Sequence, residues 1–327
     1  VLPTIRLQRS IWKIRLPYRL TAGGEAMKGG ALIHKKENES KLEAVIKPAS
    51  AAGKSIEEMG EVMLIPKKEI DIKLEADVIT PDAFAGKSAE GIGKLAIWQG
   101  PRTYPLSEFF EVTGNAGSSA AETLIRIKGD VMRVKRIGEG MSAGKIEIEG
   151  SAGMHVGTGM KGGEIIVYGN ADSWAGMEMT GGLLNIKGNA GDHVGCAYRG
   201  KWHGMKGGRI VIEGSARHQL GGGMDGGEIL VEGNVESFCG IRQNGGLIFV
   251  KGNALRGVGA EMAGGTIVVG GKIERFSPGF EFVSMENSVT SGEVELIGEF
   301  KKFTGDFAIS KRAKGALYVV ADTNPEL

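Results

Sequence analysis

A methionine recurs at Met141, Met160, Met179, Met205, Met224 and Met262, with Gln243 in the remaining place of the series. Thioethers are soft donors that suit Cu(I), so such a ladder has the chemistry of a metal site. It is also what a packed column of flexible apolar side chains produces, and the series is read as core. Cys196 and Cys239 could supply a thiolate. Cys239 shares a column with Val156, Ala175, Val194, Leu220 and Val258, so it is expected as a buried, inert thiol. Two cysteines cannot frame disulfides or hold an iron–sulfur cluster alone, and a cytoplasmic location is expected. His155 and His193 share a column with Trp174 between them, two coils of about 4.8 Å apart, too far for one zinc. They are expected at the surface or an interface. His203 and His218 have no clustered partner in the sequence.

Gly53–Ser55 and Gly86–Ser88 both read Gly-Lys-Ser, the end of a phosphate-binding loop. That loop needs a glycine five residues before its Gly-Lys, where Pro48 and Pro81 stand. Helix caps are the better reading, Ser55 with Glu58 as a capping box and Ser88 at its own helix. No His-Glu-x-x-His or cysteine–histidine cluster occurs. The acidic positions alternate with Lys, Arg, Asn and Thr, so the outer face is expected to be a solvated or docking surface. No catalytic, cofactor-binding or metal-binding residue is assigned.

The elements that carry these columns follow from a repeat. Closing glycines stand at Gly150, Gly169, Gly188, Gly214, Gly233, Gly252 and Gly271, 19 residues apart except for one step of 26. A short fixed period means stacked units that bury their apolar faces against one another. Before each closing glycine two apolar residues alternate, from Ile146 and Ile148 to Ile267 and Val269, which predicts a short strand with one buried face. The expected class is all-β, a right-handed parallel β-helix. Asn170, Asn189, Asn234 and Asn253 follow their glycines at a corner, where amides tolerate left-handed backbone and can hydrogen-bond along the stack.

The 26-residue step inserts Tyr198-Arg199-Gly200-Lys201-Trp202-His203-Gly204. An insertion in one coil maps to a loop on one face, and Tyr, Trp and Arg dominate interface hot spots. Tyr198, Arg199, Lys201, Trp202 and His203 are therefore the candidate partner-binding residues.

The expected organisation is a basic extension over 1–30, a duplicated arm copy over 31–62, the arm over 63–122, the repeat over 123–271 and capping coils over 272–327. Ile125 and Ile127 read as a first coil; Gly292–Gly298 and Gly315–Val319 read as final ones. The arm predicts a strand around Ile70–Val78 and a short helix after Ser88. Ala31–Gly60 matches Met63–Gly93 at 18 of 30 positions once Asp77 is skipped. Residues 1–30 read as an edge strand, a partner-binding tail, or sequence upstream of a start at Met27, Met59 or Met63.

A net charge of +1 gives no field for nucleic acid or an anionic membrane, and no apolar run could span a bilayer. The 55 glycines and 6% aromatics do not suit an ordinary α/β enzyme.

The repeated G/W-x-x-M-x-x-G-x-I/L-x-I/V-x-G units, the Tyr-Arg-Gly insertion, Trp98-Gln99-Gly100 and Phe303-Thr304-Gly305-Asp306 resemble the C subunit of formylmethanofuran dehydrogenase, over about residues 63–327. The pattern is also similar to the C-terminal domain of glutamate synthase and to a subunit of the formyltransferase/hydrolase complex. The resemblance implies a structural subunit of a complex that reduces CO2 and fixes it as formylmethanofuran in methanogenesis. It also implies tungsto- or molybdopterin, iron–sulfur clusters and zinc in other subunits, and pterin-bearing, amidohydrolase-like and ferredoxin-like partners. A glutamate-synthase-like β-helix module, or the C subunit of a formyltransferase/hydrolase complex, is the alternative.

Overall fold

The computed structural model describes residues 43–46 and 58–327, and of the side chains in 43–46 only Ala44. The expectations for residues 1–30, for most of 31–62, and for Gly53–Ser55 with its Ser55 cap lie outside the described residues.

The chain opens with β1 (Glu43–Ile46), β2 (Gly60–Pro66), β3 (Leu74–Glu75), α1 (Pro81–Phe84), α2 (Ala89–Gly93), β4 (Ala96–Gln99), β5 (Arg102–Pro105) and β6 (Phe110–Gly114). The repeat follows as β7 (Thr123–Ile127), β8 (Val134–Lys135), β9 (Lys145–Ile148), β10 (Glu164–Val167), β11 (Leu183–Ile186), β12 (Arg209–Ile212), β13 (Glu228–Val231) and β14 (Leu247–Val250). It closes with β15 (Ala254–Arg256), β16 (Thr266–Val269), β17 (Ile273–Arg275), β18 (Glu281–Ser291), β19 (Val294–Gly305) and β20 (Gly315–Val320). The protein is all-β in its main elements, with its largest sheet built on parallel pairs.

Strands β7, β9 to β14, β16 and β20 pair in parallel without a register shift. Because side chains alternate, each strand sends two apolar residues inward, and neither column exceeds 1% exposure from Ile125 and Ile127 to Leu317 and Val319. Each such side chain contributes about 1.5–3 kcal/mol before entropy is charged against it. Parallel bridges link Val131, Ala152, Ala171, Ala190, Ala216, Val235 and Ala254 as a second stacked row. All six methionines of the series, with Gln243, are fully buried in the same interior.

The asparagines act by hydrogen bonding alone. Asn170 Oδ1 accepts the Asn189 N–H at 2.8 Å, Asn189 Oδ1 that of Ser215 at 2.8 Å, and Asn234 Oδ1 that of Asn253 at 2.8 Å. None has positive φ. The left-handed non-glycine positions fall elsewhere: one column holds Arg136, His155, Trp174, His193, Gln219 and Phe238, and a second holds Glu178, Arg242 and Glu261.

Four expectations need correction. First, β2 pairs in parallel with β7, Val62 opposite Ile125 and Leu64 opposite Ile127, so the stack begins one rung before the expected first coil. Second, the strand expected over Ile70–Val78 contracts to β3, because Ala76 O accepts the Ile79 N–H at 3.0 Å and the chain turns into the Thr80 cap of α1. The helix after Ser88 is present as α2, with Ser88 Oγ accepting the Gly91 N–H at 3.3 Å.

Third, Gly292–Gly298 is no coil. The loop Gly292-Glu293, with Gly292 at φ +58°, turns β18 back into β19, and β19 runs antiparallel to both β18 and β20. A two-residue turn joins only antiparallel strands; a parallel rung needs a full coil of return path. Fourth, the outer face is not solvated throughout. In its middle column Leu230, Phe249 and Val268 are 6%, 3% and 0% exposed, packed with Val294, Leu296, Phe300 and Ala44. The β18–β19 hairpin and β1, which pairs with Val294–Ile297, cover this end of the stack.

Candidate functional site

The insertion leaves the stack without breaking it. Before the loop, the Ala197 N–H bonds Gly222 O at 3.0 Å; after it, the Gly204 N–H bonds Gly223 O at 2.6 Å, and β11 still pairs with β12 in register. Within the loop the Lys201 N–H bonds Tyr198 O at 2.9 Å around Gly200, whose φ is +84°.

Its side chains are held by the coils on either side. Lys201 Nζ lies 3.0 Å from Glu178 Oε2, while Glu178 Oε1 accepts the Tyr198 N–H at 3.2 Å. Arg242 stands 5.1 Å over the Trp202 ring and donates from Nε to Glu261 at 2.8 Å. Arg199 stands 5.6 Å over the Trp174 ring. Tyr198 and Trp202 nevertheless remain 52% and 68% exposed.

Four of the five candidate residues, Tyr198, Arg199, Lys201 and Trp202, line one cavity of about 160 Å³ with Trp174, His193 and Arg242. The fifth, His203, lies outside that lining and holds Asp225 through Nδ1 at 2.7 Å. His218 likewise meets Glu236 at 2.7 Å. These carboxylates lie about one coil away in sequence. Scanning across neighbouring coils, rather than along the chain, would have found them, as it would Glu178 and Arg242.

The histidine column forms a stack instead of separate surface residues. Trp174 lies between His155 and His193, with ring centroids 5.4 and 5.0 Å away and planes within 14°. Burial, with Arg136 and Lys135 nearby, holds His155 below the usual histidine range, and burial does the same for His193. Burial pushes the Cys196 and Cys239 thiols up to about 12. Cys196 Sγ donates to Gln219 O at 2.6 Å. Neither thiol is an available nucleophile or ligand at neutral pH. Among the described residues no three His, Cys, Asp or Glu side chains gather as metal ligands. No helix among them is long and apolar enough to cross a membrane. What the arrangement can do is bind: two exposed aromatic rings and a pinned guanidinium surround a shallow cavity.

A protein similar along its full length is the C subunit of the molybdenum-containing formylmethanofuran dehydrogenase 1 of Methanosarcina barkeri. It is 91% identical over 301 residues, which cover 92% of this chain and 100% of that protein. The chain belongs to the C-subunit family of formylmethanofuran dehydrogenases. A match of 301 residues is longer than 63–327, so it reaches into the duplicated arm copy. The family includes the C subunit of the tungsten-containing formylmethanofuran dehydrogenase 2 of Methanothermobacter thermautotrophicus, 48% identical over 98 residues, 30% of this chain and 36% of that protein. Among solved structures, a chain of the formyltransferase/hydrolase complex of Methylorubrum extorquens, crystallised with methylofuran, superposes with a TM-score of 0.69. It is 30% identical, with 79% of this chain and 99% of that chain covered. No family profile matches the sequence.

Proposed function

We propose that this chain is the structural subunit of a formylmethanofuran dehydrogenase complex, which reduces CO2 and fixes it as formylmethanofuran. The observation that carries the proposal is the 91% identity to a C subunit over that protein's whole length. The chain contributes no active site of its own on this reading; burial of Cys196 and Cys239 and the stacking of His155 and His193 on Trp174 are in keeping with it. The tungsto- or molybdopterin, iron–sulfur clusters and zinc reside in pterin-bearing, amidohydrolase-like and ferredoxin-like partners in the cytoplasm. The stack closes as a right-handed parallel β-helix over 123–271, extended by the β2 rung before it and the β20 rung after it, with the rest of 63–122 as arm and the rest of 272–327 as cap. Its rigid coils hold partners in register, and Tyr198, Arg199, Lys201, Trp202 and His203 form a docking face. Exposed Tyr and Trp side by side support that role, since such patches are uncommon without a partner.

Affinity purification of the tagged chain from cells tests this. Recovery of pterin-bearing and amidohydrolase-like subunits is expected, with reduced recovery for Trp202→Ala. Elution of the chain alone would overturn the proposal. The 99% coverage of a formyltransferase/hydrolase chain favours a second reading, membership in that type of complex. A copurified complex free of tungsten and molybdenum would select it.

A further inference from the structure

The loop cavity holds three cations, and only two are neutralised. Lys201 is paired with Glu178 at 3.0 Å and Arg242 with Glu261 at 2.8 Å, each carboxylate coming from a neighbouring coil. Arg199 has no carboxylate partner among the described residues; its guanidinium rests over Trp174, beside the His193 imidazole that stacks on the same ring. An aromatic face stabilises a cation but leaves guanidinium N–H groups without acceptors. Arg199 lines the same cavity as Tyr198 and Trp202, so a surface that covers the cavity together with both rings desolvates it. A guanidinium covered without an anion is strongly destabilised, whereas a carboxylate satisfies its planar fork with two parallel hydrogen bonds.

We propose that the cavity framed by Trp174, His193, Tyr198 and Trp202 is the seat for an Asp or Glu side chain of a partner subunit, which pairs with Arg199. The occupant is a protein side chain because the cavity of about 160 Å³ is continuous with the exposed rings of Tyr198 and Trp202, which a macromolecular surface covers together. Its acidity follows from charge: the paired cations leave the wall one unit positive. The inference rests on the docking reading of the loop given above.

The test uses the assembled complex. Arg199→Lys keeps the charge and supplies an amine, so a carbodiimide treatment followed by peptide mass spectrometry reports any carboxylate seated there. A cross-link from position 199 to an Asp or Glu of another subunit is expected. Cross-links to this chain alone, or none in an intact complex, would overturn the proposal. In parallel, Arg199→Glu is expected to weaken retention of the partner by about 30-fold or more, as removal of one member of a covered charge pair does. Unfolding of the isolated variant, followed by circular dichroism, separates assembly from folding. If Trp202→Ala weakens retention and Arg199→Glu does not, the acidic seat fails and the docking face stands. If neither weakens it, both fail.

Discussion

The indole of Trp174 lies parallel to the imidazole of His193, with ring centroids 5.0 Å apart and planes 14° from one another. On its other face it stacks on His155, so one left-handed position per coil has become a pile of flat rings. Burial lowers both histidines, which sets a pH dependence. The unfolded chain, near the ordinary histidine value of about 6.5, binds protons that the folded chain resists. Stability is therefore complete above about pH 6.5 and falls as pH drops through that value toward the lowered folded-state values. Thermal unfolding at pH 7.5 and 5.5 is expected to show the loss. The pair His155→Phe and His193→Phe shrinks the difference, since Phe238 already occupies an equivalent place at φ 66°.

Gln243 is the fully buried break in the methionine series. Its Nε2 donates to Gly245 O at 3.0 Å and Gly246 O at 3.1 Å, but its Oε1 has no partner. The other coils carry the same turn beneath a methionine. Gln243→Met is expected to remove a buried orphan acceptor and raise stability by about 1 kcal/mol, read from denaturant unfolding.

Asn189 bridges the irregular 26-residue step, its Oδ1 accepting the Ser215 N–H at 2.8 Å. Asn189→Ala is expected to cost about 1 kcal/mol, because the exposed amide can turn to water. Hydrogen exchange at Ser215 should quicken, and Asn189→Asp, which keeps an acceptor, should leave it slow.

Two glycines separate steric from conformational cost. At Gly245 an added Cβ would stand 2.0 Å from Asp225 O in the preceding coil, so Gly245→Ala forces two backbones apart. A loss of about 3 kcal/mol or more is expected. Gly159 has φ +63° and nothing within 4 Å of such a Cβ. Gly159→Ala pays only for the left-handed backbone, about 1–2 kcal/mol. Equal losses in urea titrations of the two variants would contradict the close approach of coils at Gly245.

The rungs, the buried columns and the family are legible in the order of residues alone, because a fixed period places equivalent residues at equivalent points of a stack. Ile146 to Ile267 needed no structure to be read as one wall, nor Ser88 as a cap. What lies between coils followed only once they were stacked: the His155–Trp174–His193 pile, the His203–Asp225 contact, and the Glu178 and Arg242 that frame Lys201 and Trp202. Val294 and Leu296 fit the repeat in pattern, yet belong to a hairpin folded over Leu230, Phe249 and Val268. Strand alternation is the same for a rung and for a covering strand. The two-residue turn at Gly292, and the apolar outer column it covers, decided which one formed.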